Sequence, residues 1–395
     1  MVSKEMWALG ANRSVIRDLF EYGLQQAKVV GPENVFDYSL GNPSIPSPPQ
    51  VNETVVEILR DMDSIRVHGY TSALGDIETR SAIAADLNDR YGAGIRPENL
   101  FICCGAAPGL IAIMRALAAT PEAEFVAIAP FFPEYRPFAK AAGGNLVVVP
   151  ADTEHFQVNL KALEQAITPH TQAVIVNSPN NPTGTVYTAE TIRAVGQLLT
   201  RKGEEYGHPI YILADEPYRE LVYGGVEVPF IPNLYDNTIV CYSYSKSLSL
   251  PGERIGYVLV PDEVTESKIV YAGIAGAGRA LGYVCAPSMF QKVIASCVGQ
   301  TGDVELYKKN RDLLYDGLTK IGYECFKPQG AFYMFVKTLE PDADVFCEKA
   351  KEENLLIVSA TGFGCPGYAR ISYCVDYDMI QRSFAAFERL YKKYQ

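Results

Sequence analysis

Lys246 stands in Ser243-Tyr244-Ser245-Lys246-Ser247, directly after the apolar run Thr238-Ile239-Val240-Cys241-Tyr242, which reads as a buried strand. A lysine is a nucleophile only as the neutral amine, and burial or a nearby cation moves it toward that form. Arg254, a little further on, keeps its charge and offers a planar fork of donors suited to phosphate. Ser243 and Ser245 add hydroxyl donors beside it. An imine-forming lysine next to groups that hold a phosphate fits pyridoxal 5'-phosphate (PLP), although a surface turn with one lysine and one arginine accounts for the same residues. Asp215 closes a second apolar run, Ile210-Tyr211-Ile212-Leu213-Ala214, where an unpaired carboxylate is costly. The pyridinium N–H of PLP would pair with it, and the ion pair would let the ring act as an electron sink. Arg370 lies in the apolar stretch Ala369-Arg370-Ile371, where either a substrate carboxylate or an internal Asp or Glu would satisfy the guanidinium.

The elements that would position these groups alternate between strand and helix from about residue 95 to 260, the pattern of a doubly wound sheet. Asn181, Asp215 and Lys246 each fall just beyond a different apolar run, and strand ends of such a sheet converge on one site. The run Leu100-Phe101-Ile102-Cys103-Cys104 leads into Gly105-Ala106-Ala107-Pro108-Gly109 and an apolar helix. That arrangement points free backbone N–H groups at an anion, and it also serves as an ordinary tight turn. Asn177-Ser178-Pro179-Asn180-Asn181-Pro182-Thr183-Gly184 is a dense turn cluster with Pro182 a candidate for a cis bond. Ahead of the sheet, a helix is expected near 76–91. Asn12-Arg13-Ser14 reads as the cap of an earlier helix carrying Val15, Ile16, Leu19, Phe20 and Leu24.

Composition narrows the partners. The 395 residues carry a net charge of −11 and the pI is about 5.0, which argues against nucleic acid, since a basic face would be expected. No apolar run reaches membrane-spanning length, and the N-terminus lacks the apolar core of a signal peptide. The nine cysteines are scattered without a CxxC pair, as expected for reduced, buried thiols in a cytoplasmic protein. Cys103 and Cys104, as strand neighbours, should face opposite ways. The four histidines have no ligand spacing to the cysteines, so no metal site is expected.

The stretch Ser243 to Gly256, with Ser245, Lys246, Ser249, Leu250, Gly252, Arg254 and Ile255 between, resembles the PLP-lysine signature of the class I/II aminotransferases, of fold type I. The resemblance runs from about Asp37 to Ser372. It includes Asn181-Pro182-Thr183-Gly184, Asp215-Glu216-Pro217-Tyr218, Pro328-Gln329-Gly330-Ala331-Phe332-Tyr333 and the closing segment through Arg370. It implies that Lys246 forms the internal aldimine and that Arg254, Ser243 and Ser245 hold the phosphate. It further implies backbone contacts from Gly105, Ala106 and Ala107; the usual hydroxyl side chain is missing there, which leaves more of the phosphate to the other donors. Phe132, with Phe131 the alternative, would stack on the pyridine ring. Asn181 and Tyr218 would meet the cofactor's phenolic oxygen. Tyr70, with Gly75 in the family spacing, would reach the phosphate of a neighbouring subunit. Arg370 would take the substrate carboxylate, and Gly41, in a Gly-x-Pro turn, would lie over it. For several of these a plain packing role remains the alternative.

The fold class implied is α/β: a large doubly wound, mostly parallel sheet domain with a smaller α/β C-terminal domain. The expected division is 1–45 for an N-terminal arm and part of the small domain, 46–285 for the PLP-binding domain and 286–395 for the small domain. The expected activity is PLP-dependent transfer of an amino group from an L-amino acid to a 2-oxo acid by a homodimer with shared active sites. A C–S β-lyase on the same residues is the alternative, and a non-catalytic PLP-binding regulator a further one. Gly109, Arg279 and the arm near 14–39 are candidates for shaping the substrate side-chain pocket.

Overall fold

The computed structural model describes every residue except Asn12, Arg13 and Ser14, together with the side chain of Glu5. The expected cap at 12–14 therefore lies outside the described residues. The helix it would begin, Val15–Val30, buries Leu19 and Gly23.

Seven strands form the large sheet: β1 (Leu100–Cys103), β2 (Glu124–Ile128), β3 (Asn145–Val149), β4 (Thr171–Asn177), β5 (Tyr211–Asp215), β6 (Thr238–Ser243) and β7 (Gly256–Leu259). Their order is β1-β7-β6-β5-β4-β2-β3. Only β7 runs against its neighbours, pairing antiparallel with both β1 and β6. Its reversal brings the start of β7 to the edge where the other strands end. The register Ser243↔Gly256 puts the residues just before β7 beside those just after β6.

Near-continuous Val, Ile, Leu and Ala in these strands reflects burial on both faces. Alternate residues part company as a strand demands. Ile102, Val174, Ile212 and Val240 join one core with the helices Ile77–Tyr91 and Ala189–Tyr206. Phe101, Ile175, Leu213 and Ile239 join another under the helices Ala106–Leu117 and Ser267–Ala280. Cys103 packs in the second core and Cys104 against the first, as strand neighbours should. All nine cysteines are free thiols.

A separate core surrounds a four-stranded antiparallel sheet of Val358–Ser359, Tyr368–Ser372, Tyr333–Lys337 and Cys325–Phe326. Phe36 and Tyr38 belong to this core, and Phe36–Asp37 pairs in parallel with Leu355–Leu356. The helix Ser288–Cys297, by contrast, buries Val293, Ile294 and Cys297 in the core of the large sheet. This helix, just beyond the division expected at 285, packs back on the large sheet before the chain crosses over. Among the described residues no helix is long and apolar enough to cross a membrane, and no cluster of His, Cys, Asp and Glu could hold a metal ion.

Candidate active site

At the edge where the strands end, a cavity of about 300 Å³ is lined by Lys246, Asp215, Asn181, Arg254 and Arg370. Four of the expected groups arrive from different elements. Asn181 follows β4, Asp215 ends β5, Lys246 sits in the one-turn helix Tyr244–Ser247 after β6, and Arg370 comes from the small sheet. Ser243 begins that short helix by accepting a hydrogen bond from the Ser245 N–H.

Lys246 Nζ donates to the carbonyl of Gly41 at 2.6 Å and lies 5.4 Å from the Phe332 ring centre. Burial lowers its pKa to about 8, with Arg370 and Arg254 pushing the same way and Cys374 opposing. That is the direction a nucleophilic amine requires. Asp215 is buried, and burial raises its carboxyl to about 7 despite a hydrogen bond from Tyr135. Its Oδ2 accepts that bond at 2.5 Å, while Oδ1 is buried with no partner among the described residues. A buried acceptor left open is costly and marks a place for a donor.

Arg370 is 2 % exposed and forms no ion pair with a carboxylate among the described residues. It donates from Nη2 to the Ser39 carbonyl at 2.5 Å and from Nη1 to Asn181 Oδ1 at 3.2 Å, and its Nε has no partner. Desolvation lowers its pKa, and Tyr333 and Phe363 flank the guanidinium. The internal Asp or Glu that would have satisfied it is not there. With Oδ1 of Asn181 taken by Arg370, the donor end of that amide is the one left to the cavity.

A cup of hydrogen-bond donors forms around Arg254. Ser243 Oγ and Ser245 Oγ are 2.7 Å apart, and Arg254 Nη1 donates to Ser245 Oγ at 3.5 Å. The helix Ala106–Leu117 starts against this cup, with Ala106 and Ala107 lining it. Gly105, at φ 89°, stands directly before; a Cβ there would fall 2.6 Å from Arg254 Nη2. Gly41 is confined likewise, since its Cβ would strike the Tyr333 hydroxyl.

Phe132 lines the cavity, whereas Phe131 is buried beneath the Arg136 guanidinium at 5.0 Å. Tyr218 lines it too and shares a 3.0 Å hydrogen bond with the Tyr333 hydroxyl. Ile16, from the Val15–Val30 helix, contributes to the wall. Three expected residues are elsewhere. Tyr70 is 89 % exposed and outside the cavity, and Arg279 is exposed near the end of its helix. Gly109 faces the thiols of Cys103 and Cys241 under the sheet instead of the cavity. The cis peptide bonds are Ala129–Pro130 and Ser178–Pro179; Asn181–Pro182 is not among them.

Three further residues hold the site, none of them given a role by the sequence analysis. Tyr135 binds Asp215, and Tyr333 bridges Tyr218 and Arg370. Asn177 donates to the Asp215 carbonyl at 2.9 Å and accepts from the Asn181 N–H at 2.7 Å, which ties the β4 and β5 loops together.

The residues present fit PLP on chemical grounds. An amine tuned toward neutrality, an open buried carboxylate oxygen and a cup of hydroxyl, guanidinium and amide donors share one cavity. The pattern of the family described as aminotransferase class I and II matches residues 33–387, and the chain belongs to that family. It is a PLP-dependent aminotransferase of fold type I, a class that moves an amino group between an amino acid and a 2-oxo acid.

Among its relatives, an aspartate aminotransferase of Geobacillus stearothermophilus is 29% identical over 93% of both chains. The aspartate/prephenate aminotransferase of Thermus thermophilus is 28% identical over 89% of each. A solved aminotransferase of Eubacterium rectale is 62% identical, with a TM-score of 0.99 over 100% of this chain and 99% of that one. The Thermus thermophilus aspartate aminotransferase with maleate superposes with a TM-score of 0.86 at 25% identity, over 99% of both chains. These likenesses do not favour the β-lyase alternative.

Proposed function

We propose that this aminotransferase holds PLP in the cavity around Lys246 and binds its amino-acid substrate through Arg370. The observation that carries the reading is the unpartnered Oδ1 of Asp215 in the same cavity as the Lys246 amine. When bound, the cofactor supplies an aldehyde that the Lys246 amine captures and a pyridinium ring that takes up the electron pair left at the substrate carbon. Asp215 Oδ1 would accept from the ring N–H. Asn181 and Tyr218 would donate to the phenolic oxygen. Arg254, Ser243, Ser245 and the amides of Gly105, Ala106 and Ala107 would hold the phosphate at the helix N-terminus. Phe132 would cover one face of the ring.

Arg370 and Gly41 line the same cavity, the Arg370 Nε has no partner among the described residues, and a substrate carboxylate would take the place of the Ser39 carbonyl. Once released, Lys246 Nζ moves the proton at the substrate Cα as base and then as acid. Substrates are therefore an L-amino acid and a 2-oxo acid. Relatives named aspartate aminotransferases make aspartate the first donor to test. Its side-chain carboxylate needs a cation beyond those assigned, and Arg279 of a second copy is the candidate.

The large domain would include the helix Ser288–Cys297, and the small domain would combine the N-terminal segment to about residue 45 with the chain beyond that helix. Tyr70, exposed here, is available to the phosphate of a second copy. The exposed Trp7, Ile65 and Val284 are apolar surface that a homodimer would cover. Free thiols throughout fit the reducing cytoplasm.

Mixing the yellow holoenzyme with single amino acids tests the reaction. Conversion to the pyridoxamine form, reversed by a 2-oxo acid, is the expected result. Pyruvate and ammonia released without an acceptor would make it a lyase, and an unchanged spectrum with every donor would make it a binder. A second expectation concerns Gly105→Ala. The left-handed φ and the Cβ approach to Arg254 together should weaken PLP affinity by about 10-fold or more. Titrating the apoprotein with PLP measures this, and an unchanged Kd would remove Gly105 from the phosphate cup.

A further inference from the structure

We propose that Tyr135 is a positioning residue for Asp215: it occupies one carboxylate oxygen, aims the other at the cofactor's ring nitrogen, and keeps their shared proton on that nitrogen. This rests on the role given to Asp215 above.

The geometry divides the carboxylate in two. Oδ2 accepts from the Tyr135 hydroxyl at 2.5 Å, and Oδ1 has no partner among the described residues. Tyr135 comes from a different element, the start of the helix Tyr135–Ala141, some eighty residues away in the chain. It is 1 % exposed and held by ring contacts on two sides. Phe131 lies parallel at 6.4 Å, and Phe132 meets it edge-on at 5.7 Å and 88°. The same tyrosine thus braces the aromatic proposed to cover the cofactor and the acid proposed to pair with it.

Among the described residues no other side chain donates to the Asp215 carboxylate. The Asn177 amide goes to the backbone carbonyl of Asp215, Glu216 is turned away into a buried ion pair with Arg219, and the Tyr218 hydroxyl is engaged with Tyr333. Among the described residues, Tyr135, Tyr218, Glu216 and Cys241 are the titratable groups that interact with Asp215, while the cations that line the same cavity, Lys246, Arg254 and Arg370, donate instead to Gly41, to Ser245, and to Ser39 and Asn181. The choice of a neutral donor has a consequence. A cation here would neutralise the carboxylate and leave little charge to hold a pyridinium. With no donor at all, a desolvated carboxylate would compete with the ring for the proton. A phenol lowers the proton affinity of the acid while leaving its charge in place, so the ring nitrogen keeps the proton.

The test compares four holoenzymes, each loaded with PLP labelled with 15N in the ring: unaltered, Tyr135→Phe, Asp215→Asn and the double variant. The readouts are the ring-nitrogen NMR shift and the steady-state constants. Tyr135→Phe is expected to move the ring nitrogen toward its unprotonated position and to lower kcat about 10-fold, with the KM of the amino donor changed less than about two-fold. In the Asp215→Asn background, adding Tyr135→Phe should move the nitrogen no further. An unmoved ring nitrogen in Tyr135→Phe overturns the proposal. So does a shift of equal size in both backgrounds, which would make Tyr135 a support for Phe132 alone. If Asp215→Asn by itself leaves the nitrogen protonated, the role of Asp215 fails and the proposal falls with it. Should the Phe variant not fold, Tyr135→Met fills the space flexibly without a hydroxyl and carries the same expectations.

Discussion

Lys246→Ala is expected to lose at least about 10⁴-fold in transamination, because it removes both the group that captures the cofactor and the base that moves the Cα proton. The variant should still take up PLP weakly through the phosphate cup and Asp215, but without a covalent bond. Borohydride reduction followed by peptide mapping checks this. The unaltered protein should yield a pyridoxyl group on the peptide containing Lys246, and the variant none. A reducible lysine adduct elsewhere, or an unchanged visible band in the variant, would move the site away from Lys246. The pH dependence of capture follows from the lowered pKa of the amine, about 8 in the free protein. Only the neutral amine attacks, so below that pH the capture rate of the apoprotein should climb by about tenfold per unit. Above it the rate should level off. An ordinary exposed lysine would keep rising to beyond pH 10, the value from which burial has brought this one down.

Arg370→Ala should raise the KM for the amino donor by about 10²- to 10³-fold, the loss of a buried, charge-assisted pair with the substrate carboxylate. PLP affinity should fall only a few-fold, through Asn181, whose Oδ1 loses its donor. Arg370→Lys keeps the charge without the planar fork and should lie between the two. Its ammonium cannot serve Asn181, the Ser39 carbonyl and a carboxylate in the geometry seen here. Donor KM and PLP Kd measured on the same preparations separate these effects. Equal losses in both would make Arg370 a structural residue of the Asn181 loop.

The groups proposed to act on the cofactor were legible as candidates because their signals are local. Lys246 and Asp215 end apolar runs that only a buried strand explains, and a charged group at such a place demands a partner. The signature around Lys246 and the Asn-Pro-Thr-Gly turn are contiguous as well. Phe131 and Phe132 could not be separated by spacing alone. The burial of Phe131 beneath Arg136 and the placement of Phe132 in the cavity come from the fold around them. Asn177 and Tyr333 lay in stretches the sequence singled out, but neither they nor Tyr135 showed their role, since a tyrosine or asparagine near a strand end is ordinary in any α/β protein. Their meaning lies in partners far along the chain. The helix Ser288–Cys297 is silent for a related reason: its amphipathic face does not say which of two cores it covers.

By itself, then, the sequence determined which chemistry stands at the ends of which strands, because burial on both faces, glycine turns and short motifs are written in neighbouring residues. How those ends meet depends on the three-dimensional fold. The reversed β7 delivers Arg254 to the serines after β6, the crossing of the small sheet brings Arg370 to Asn181, and a tyrosine from a distant helix takes one oxygen of Asp215 while leaving the other open. Those pairings depend on strand order and on packing between remote segments, which no local pattern of residues records.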